Sequence, residues 1–592
     1  MTLDFRNTNT LWASVLAETL MRLGLQTAII CPGSRSAPLT VAFAQHPELE
    51  AIPILDERSA AFFALGLARR TGVPVALICT SGTAGANFYP AVIEAFESHV
   101  PLLILTADRP PELRHCHAGQ AINQVNLYGA YTHWYAELAL PETDLAMLAY
   151  LRQTIMQGWN RALNPIPGPV HLNIPLREPL APISDSALEP IAKHFNAAQF
   201  FQMVQPSSVT AYGAKLTLPL QTWMACDRGL IIAGSAIPRD VVAYCQAIAQ
   251  LSQTLGWPVL AEGLSPLRNH ADLNPFLITT YDIALRNCDL ATQLQPDQVI
   301  RLGELPTSKT LRLWLQDLSI PQWIIEPTDQ NVDPLHSSSV HIRASVEAVA
   351  ECLRDEGDPA QSTNECLNGY LKDWLTVETK IRADLDRTLK STQLLRESKV
   401  AWLLSQTLPI GTPLFIANSM PVRDVELFWQ PNTRKIQPYF NRGANGIDGT
   451  LSSALGMSHR HQRSVLLTGD LSLLHDTNGF LIQPQWQGSL TIVLINNAGG
   501  GIFGMLPIAN FEPPFEAFFA TPQHADFAKL CAAYQIEHVL IQDWDTLELQ
   551  LNLLPTQGIR VLEVRCDRTL DAQWRKAHLH KLSVEPFLSA KS

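Results

Sequence analysis

Short runs rich in Val, Ile and Leu recur along the chain, each followed by a turn and then by a stretch whose apolar residues repeat at helical spacing. Parallel strands need crossover connections, and a helix on each crossover covers one face of the sheet. The alternation therefore predicts an α/β fold of doubly wound parallel sheets. Strand candidates in the first part are 27–31, 51–55, 75–80 and 102–106. The pattern lapses near 182–215, where Pro182, Ser184, Ser186, Pro190, Pro206, Ser207 and Ser208 gather. It resumes at a strand candidate at 230–233 and fades again in the polar segment 355–364. These lapses predict three such domains, at 1–185, 205–355 and 370–592.

Only 17% of the 592 residues are charged and 46% are hydrophobic, which excludes disorder and implies surface hidden in an oligomer. With 43 basic against 55 acidic residues and a net charge of −12, the chain lacks the basic stripe that a phosphate backbone requires. The 10 cysteines include no CxxC pair, so buried, reduced thiols are expected rather than a disulfide framework or zinc module. His115-Cys116-His117 lacks a second ligand pair and reads as an exposed loop. Leu11, Val15, Leu16, Leu20 and Leu23 predict an amphipathic core helix and no signal peptide. The stretch 477–511 carries no charge, but Gly479, Pro484, Gly488 and three consecutive glycines break it. It predicts helix, strand and glycine loop inside a large core, not a membrane span.

The chemistry concentrates in RSVLLTGDLSLLHDTNGFLIQPQWQGSLTIVLINNAGGGIFGMLP. A strand at 464–468 ends at Gly469-Asp470, and another at 489–495 ends at Asn496-Asn497. A right-handed strand, helix, strand unit sets both carboxyl ends at the crevice where open α/β sheets bind ligands, so Asp470 and Asn497 face one point. A carboxylate, an amide oxygen and a backbone carbonyl are hard ligands suited to magnesium holding a diphosphate, and glycines let backbone approach such a ligand. Singly, Asp470 would serve as a helix cap and the glycines as a turn; their spacing and the paired asparagines favour the metal–diphosphate reading.

These residues resemble the diphosphate-binding motif of thiamine diphosphate enzymes, a Gly-Asp followed at a distance by Asn-Asn, with Leu471 where that family usually has glycine. The resemblance implies a fold of the thiamine diphosphate enzyme type: pyrimidine-binding domain at 1–185, central α/β domain at 205–355, diphosphate-binding domain at 370–592. The first should offer a glutamate after a strand, and Glu57 stands there, although any acidic residue is favoured at a helix start. TSGTAGANFYPAVIEA, at 80–95, resembles the small-residue turn of the same domain. Glu57 is then implied to hydrogen-bond the aminopyrimidine and help it remove the thiazolium proton, so that a 2-oxo acid is attacked and loses carbon dioxide.

Substrate choice falls to polar residues at strand ends: Ser34 and Arg35 in CPGSRSAPLT, Arg109 and Gln120 in TADRPPELRHCHAGQAINQ, Ser419 and Arg423 in FIANSMPVRD, Arg442 in FNRGANGIDG. Any one arginine suits a surface salt bridge; several at strand ends of an acidic chain suggest substrates with several carboxylates. With DERSA, GDLS and NNAGGGIF, these segments resemble the branch of the family that joins 2-oxoglutarate to isochorismate in menaquinone and phylloquinone biosynthesis, where leucine at 471 is expected. That resemblance implies a transferase that decarboxylates 2-oxoglutarate and adds the succinyl-semialdehyde carbanion 1,4 to isochorismate. Ser419, Arg423 and Arg442 would address the 2-oxoglutarate part, and Ser34, Arg35, Arg109, Gln120 and Lys309 would surround isochorismate. Ile502, Phe503 and Leu506 would form an apolar wall, Ile447 would touch the cofactor, and Asp470, Asn497 and the Gly499 carbonyl would hold magnesium or manganese. Lys309 rests on LGELPTSKTLRLWL alone, with Thr310 at the next position, where a second basic residue would be looked for. The resemblance also implies a cytoplasmic homodimer with shared active sites, Glu57 meeting the partner subunit's Asp470, and leaves open whether dimers pair into tetramers.

Three rivals are weaker. A pyruvate-using carboligase would need only small apolar contacts rather than several arginines. A nucleotide-binding oxidoreductase or regulatory module is suggested by Gly234-Ser235 after the strand at 230–233, but that turn lacks GxGxxG. A catalytically dead binding protein would be expected to have lost Glu57 or Asp470.

Overall fold

In the computed structural model, which describes residues 3–206, 216–356 and 368–588, the Val- and Ile-rich runs form the strands of three six-stranded sheets. The first sheet contains β1 (Thr27–Ile30), β2 (Glu50–Pro53), β3 (Val75–Cys79), β4 (Leu102–Asp108), β5 (Trp134–Glu137) and β6 (Pro169–Pro175). Its order is β2-β1-β3-β4-β6-β5, with every neighbouring pair parallel. The second contains β7 (Gly229–Ala233), β8 (Val259–Ala261), β9 (Leu277–Ile278), β10 (Gln298–Leu302), β11 (Gln322–Ile325) and β12 (Ser339–Ile342), ordered β12-β11-β10-β7-β8-β9 and again parallel. The third contains β13 (Pro413–Ile416), β14 (Gln437–Tyr439), β15 (Ser464–Gly469), β16 (Ser489–Asn496), β17 (Glu537–Ile541) and β18 (Gly558–Arg565) in the order β14-β13-β15-β16-β18-β17. The first and third sheets thus share one topology. The second has the doubly wound order in which strands 1 and 4 are neighbours.

Burial explains why these segments become strands. All seven residues of β4 and all five of β3 are buried, as expected of parallel strands covered on both faces. Each fully buried Leu or Ile contributes about 1.5–3 kcal/mol. The helix Glu57–Thr71 starts where the Asp56 side chain accepts the Ser59 N–H and ends at Gly72, whose φ of 66° suits glycine. The helix Thr8–Leu23 is buried around nearly its whole circumference, Asn9, Ser14, Glu18 and Thr19 included, so the stripe seen in sequence understates its burial. Its polar groups are satisfied locally: Glu18 pairs with Arg22 and His46, and Ser14 and Thr19 donate to carbonyls of their own helix.

Two compact units result. One is built on the first sheet and also takes in Asn441–His461 and Ser472–Leu490; the other carries the second and third sheets. In the former, the helix Thr450–Ser458 packs backbone to backbone on Glu57–Thr71. A Cβ on Gly66 would lie 1.9 Å from the Ser453 carbonyl oxygen, so a larger residue there would force the helices apart.

Two expectations change. The charge-free stretch is not core throughout: Thr477–Gln485 forms 3₁₀ turns and β16 is almost wholly buried, but Leu506 and Phe511 are exposed. Absence of charge there makes apolar surface. Of the cysteines, Cys31, Cys79, Cys245 and Cys531 are buried, whereas Cys116 and Cys288 are exposed, because they lie on a loop and at the start of a surface helix. His115 to His117 form the exposed loop expected of them. Ser207, Ser208, Cys366 and most of the polar segment 355–364 lie outside the described residues. No helix among the described residues is long and apolar enough to cross a membrane.

Candidate active site

At the carboxyl end of the first sheet the chain leaves β1 and β3 in neighbouring turns, where the strand order reverses. Arg35, in the turn after β1, donates its backbone N–H to Thr80 Oγ1 after β3 at 3.2 Å. Its guanidinium is buried, donating from Nη1 to the Leu176 carbonyl at 2.9 Å and lying 3.3 Å from Glu178 Oε1, while Nε has no hydrogen-bond partner among the described residues. Burial lowers the Arg35 pKa and the nearby Arg109 charge lowers it further, against the pull of Glu178 and Asp108. Two arginines thus share this end of the sheet, with an unspent buried donor on one of them. Arg109 follows β4 and gives Nε and Nη2 to the Gly119 carbonyl. Gln120, at φ 58°, exchanges hydrogen bonds with Ser81, and Ser34 is exposed.

Glu57 opens its helix after β2, half-buried. Its neighbours are tied down: Asp56 accepts from Asn478 at 2.6 Å, and Arg58 donates to the His475 carbonyl at 2.7 Å. Burial raises the Cys31 and Cys79 thiol pKa values and the Glu57 charge adds to the effect, so Glu57 lies within electrostatic reach of the ends of β1 and β3. Arg442 and Ile447 lie on a loop of the same unit. That loop is gripped by its backbone: buried Glu94 accepts the Gly443 N–H at 3.0 Å and the Ala444 N–H at 2.7 Å, and is held by Arg69 and Ser98.

The third sheet brings Asp470, Asn497 and Gly499 together. Asp470 follows β15 and Asn497 follows β16, adjacent strands whose carboxyl ends lie side by side. Asp470 is 3% exposed and accepts the Leu471 N–H through Oδ1 and the Gly499 N–H through Oδ2, each at 2.8 Å. Burial pushes its pKa up to about 6 against these two N–H donors, and the Glu397 charge adds to the rise. Gly499 has φ 138°, and a Cβ there would lie 2.4 Å from the Ala520 carbonyl oxygen, so only glycine suits the turn. Asn497 donates Nδ2 to Glu397 Oε1 at 2.6 Å, while its buried Oδ1 has no partner among the described residues. A buried amide oxygen left open costs free energy unless something binds it. Magnesium fits this donor set: one carboxylate, one orphaned amide oxygen, and a Gly499 carbonyl whose two lone pairs are not exhausted by the Gly501 N–H. With a single carboxylate the set contains no cluster of three His, Cys, Asp or Glu, and none occurs among the described residues.

Behind Asn497 lies a buried ionic network absent from the sequence reading. Glu397, in the first turn of the helix Glu397–Thr407, pairs through Oε2 with Arg575 at 2.8 Å, and Arg575 also grips Asp424. Burial lowers the Arg575 pKa, but Asp424 and Glu397 outweigh it and hold the guanidinium firmly charged. Burial lifts Asp424 to about 7, which Arg575 opposes and Glu397 reinforces. Ser419 and Arg423 follow β13, the neighbour of β15, and Arg423 donates to the Ser419 carbonyl at 2.5 Å. Asp424 thus ties the helix carrying Arg423 to the network under Asn497. Ile502 and Phe503 are half-buried, Phe503 edge-on to Phe519 at 5.8 Å, and Leu506 is exposed. Lys309 stands exposed at the start of the helix Lys309–Gln316, after β10 of the second sheet, with Thr310 half-buried beside it. In that sheet a Cβ on Gly234 would meet the Glu304 carbonyl oxygen at 2.1 Å, so Gly234 serves the packing of two loops rather than a dinucleotide phosphate.

Residues 12–127 match the family of thiamine pyrophosphate enzyme N-terminal TPP-binding domains, and residues 187–416 match the thiamine pyrophosphate middle domain. Among curated relatives, 2-succinyl-5-enolpyruvyl-6-hydroxy-3-cyclohexene-1-carboxylate synthase of Acaryochloris marina is 62% identical over 97% of this chain and 98% of its own. The chain belongs to the 2-succinyl-5-enolpyruvyl-6-hydroxy-3-cyclohexene-1-carboxylate synthase family. The synthase of Trichormus variabilis is 59% identical over 99% of this chain and all of its own. The synthase family is thiamine diphosphate-dependent, which agrees with the matched domains. Two solved structures share the fold at 17% identity. A thiamin diphosphate-dependent enzyme from Mycobacterium smegmatis has TM-score 0.67 over 94% of this chain and 99% of its own. Benzoylformate decarboxylase from Polynucleobacter necessarius has TM-score 0.64 over 94% and 98%.

For this synthase-family chain, motif reading missed Glu397, Asp424, Arg575 and Glu94. Only Asp424 carried a local signal, as a charge beside Arg423 on a helix whose other residues are largely apolar.

Proposed function

We propose that the chain catalyses thiamine diphosphate- and magnesium-dependent decarboxylation of 2-oxoglutarate and 1,4-addition of the succinyl-semialdehyde unit to isochorismate. The products are 2-succinyl-5-enolpyruvyl-6-hydroxy-3-cyclohexene-1-carboxylate and carbon dioxide, a step of menaquinone or phylloquinone biosynthesis. Full-length identity of 62% to a synthase of that name carries the reading. Two geometric observations support it: an orphaned buried amide oxygen on Asn497 beside Asp470, and paired arginines with an unspent buried donor at the end of the first sheet.

Thiamine diphosphate, when bound, supplies the carbon that attacks a 2-oxo acid and the electron sink for loss of carbon dioxide. Asp470, Asn497 and the Gly499 carbonyl would hold magnesium, or manganese in its place, and Ile447 would support the cofactor ring. Glu57, half-buried at a helix start, would exchange a proton with the aminopyrimidine nitrogen of the bound cofactor. Ser419, Arg423 and Arg442 receive the carboxylates of 2-oxoglutarate; Ser34, Arg35, Arg109, Gln120 and Lys309 receive those of isochorismate. Ile502, Phe503 and Leu506 exclude water from the apolar side. The bounds proposed for the three domains are 1–185, 205–355 and 370–592, a reading supported by one six-stranded sheet within each. The working unit is a cytoplasmic homodimer with shared sites, a reading supported by apolar side chains open near both candidate regions, Leu55 beside Glu57 and Phe511 and Phe518 after the glycine loop.

Purified protein given thiamine diphosphate, magnesium and either 2-oxoglutarate or pyruvate, with and without isochorismate, tests the assignment. Carbon dioxide release from 2-oxoglutarate in preference to pyruvate, and product formation only with isochorismate, are expected. A reversed 2-oxo acid preference overturns the reading.

A further inference from the structure

An amide side chain offers oxygen on one side and NH₂ on the other, so its usefulness as a metal ligand depends on which way it is turned. Asn497 is turned by Glu397. Glu397 Oε1 accepts Asn497 Nδ2 at 2.6 Å, and Glu397 is itself held because Arg575 occupies its other oxygen at 2.8 Å. Arg575 is fixed in turn by Asp424, with Nη2 to Oδ2 at 3.1 Å, and by stacking over Phe428. Glu397, Asp424 and Arg575 are all buried, 3% exposed or less, so water cannot substitute for any partner. Gly501 leaves room for the amide in this position: a Cβ there would lie 2.6 Å from Asn497 Nδ2. The amide oxygen that is left, Oδ1, is buried and has no hydrogen-bond partner among the described residues.

We propose that Glu397 is a positioning residue that fixes the Asn497 amide with its oxygen, and not its NH₂, presented to the metal, and that Arg575 and Asp424 lock Glu397 in that task. The inference rests on the metal site proposed above and deepens it. The chemistry predicts what an altered partner does. In Glu397→Gln the new amide oxygen is claimed by the Arg575 guanidinium, its NH₂ then faces Asn497, and the Asn497 amide turns over. A donor replaces an acceptor at the metal position. Adding Asn497→Asp repairs this, because a carboxylate accepts from that NH₂ with one oxygen and keeps the other for the metal.

The test is calorimetric titration of thiamine diphosphate at a series of magnesium concentrations, read as the magnesium concentration that gives half-maximal binding. Glu397→Gln should raise it about 10- to 100-fold, the usual cost of losing a residue that orients a ligand. Glu397→Gln with Asn497→Asp should return it most of the way to wild type, a rescue that a merely structural role does not give. Glu397→Asp, which keeps the charge beside Arg575 but is one methylene short of Asn497, should give a smaller rise and serves if Glu397→Gln fails to fold, as judged by circular dichroism without metal. An unchanged magnesium requirement in a folded Glu397→Gln or Glu397→Asp, or a double variant no better than Glu397→Gln, overturns the proposal. Asp470→Ala, run beside them, separates the two ideas. A wild-type magnesium requirement in Asp470→Ala sinks the metal site itself, whereas its loss there with no change at Glu397 sinks only the positioning role.

Discussion

The first and third sheets have the same strand order and open their crevices at the same topological place, yet the site residues after β1 and β4 and those after β15 and β16 carry opposite charge. Glu57 and Arg423, at neighbouring strand ends, are of the other sign. After β1 and β4 stand Arg35 and Arg109, close enough that one lowers the other's pKa. After β15 and β16 stand Asp470 and Asn497, backed by Glu397, Asp424 and Asp571, with Arg575 the cation paired to Glu397 and Asp424. The scaffold dictates where a ligand sits; a handful of side chains decide its sign. A cationic crevice suits a substrate with several carboxylates, and an anionic one suits a divalent ion that neutralises a diphosphate.

Four experiments would break or sharpen that contrast, and the largest effect concerns a residue of neither sign group. Glu57→Gln should bind cofactor yet lose about 10²- to 10⁴-fold in turnover, the range general acid–base groups supply; normal turnover in a steady-state assay would remove Glu57 from the chemistry. Asp470→Ala should weaken magnesium-dependent diphosphate binding by more than about 100-fold, beyond what is usual for residues behind a metal ligand, while leaving the cationic crevice intact. Calorimetry would expose any failure of that expectation. Arg35→Ala should raise the KM for isochorismate about 10- to 100-fold, consistent with about 1.5–3 kcal/mol for a hydrogen bond to a charged group. Carbon dioxide release from 2-oxoglutarate alone should hold, and an equal loss on both measures would mean that Arg35 serves the fold.

The smallest effect is on stability against pH. Burial lifts Asp424 to about 7 and Asp571 to about 6, so the folded chain holds protons that the unfolded chain releases nearer 3.8. Their stabilising contribution is present in full below the unfolded value and is lost as pH rises through the folded ones. Metal-free protein should therefore lose urea resistance between about pH 4 and about pH 7, from the unfolded value to the folded Asp424 value, and Asp424→Asn should flatten the loss. Parallel curves for the two proteins would count against a strained anionic network.

The two crevices were not equally readable in sequence. Asp470, Asn497 and Gly499 stand within one strand, helix, strand unit, where each dipeptide directly follows an apolar run, so local pattern sufficed. Ser34, Arg35, Arg109 and Gln120 could be gathered because the alternation of strands and helices brings their turns to one end of a sheet. Glu397 and Arg575 could not, since Glu397 reaches Asn497 from a helix 100 residues away, Arg575 reaches only Glu397 and Asp424, and no local rule asks for charge there. The stretch 477–511 misled in the other direction. Lack of charge suggested burial, but Leu506 and Phe511 are exposed, because a sequence does not reveal what will cover an apolar loop.

The grip of Glu94 on the Gly443 and Ala444 amides has a bearing on how this branch of enzymes diversifies. A carboxylate that reads main-chain N–H groups does not itself select the side chains beside them, although at 443 a Cβ would lie 2.7 Å from the Glu97 Cβ and only glycine suits. Selection can rewrite a half-buried position of that loop such as Arg442 while the grip on the backbone keeps its course. The loop can try new substrates without first inventing a new fold.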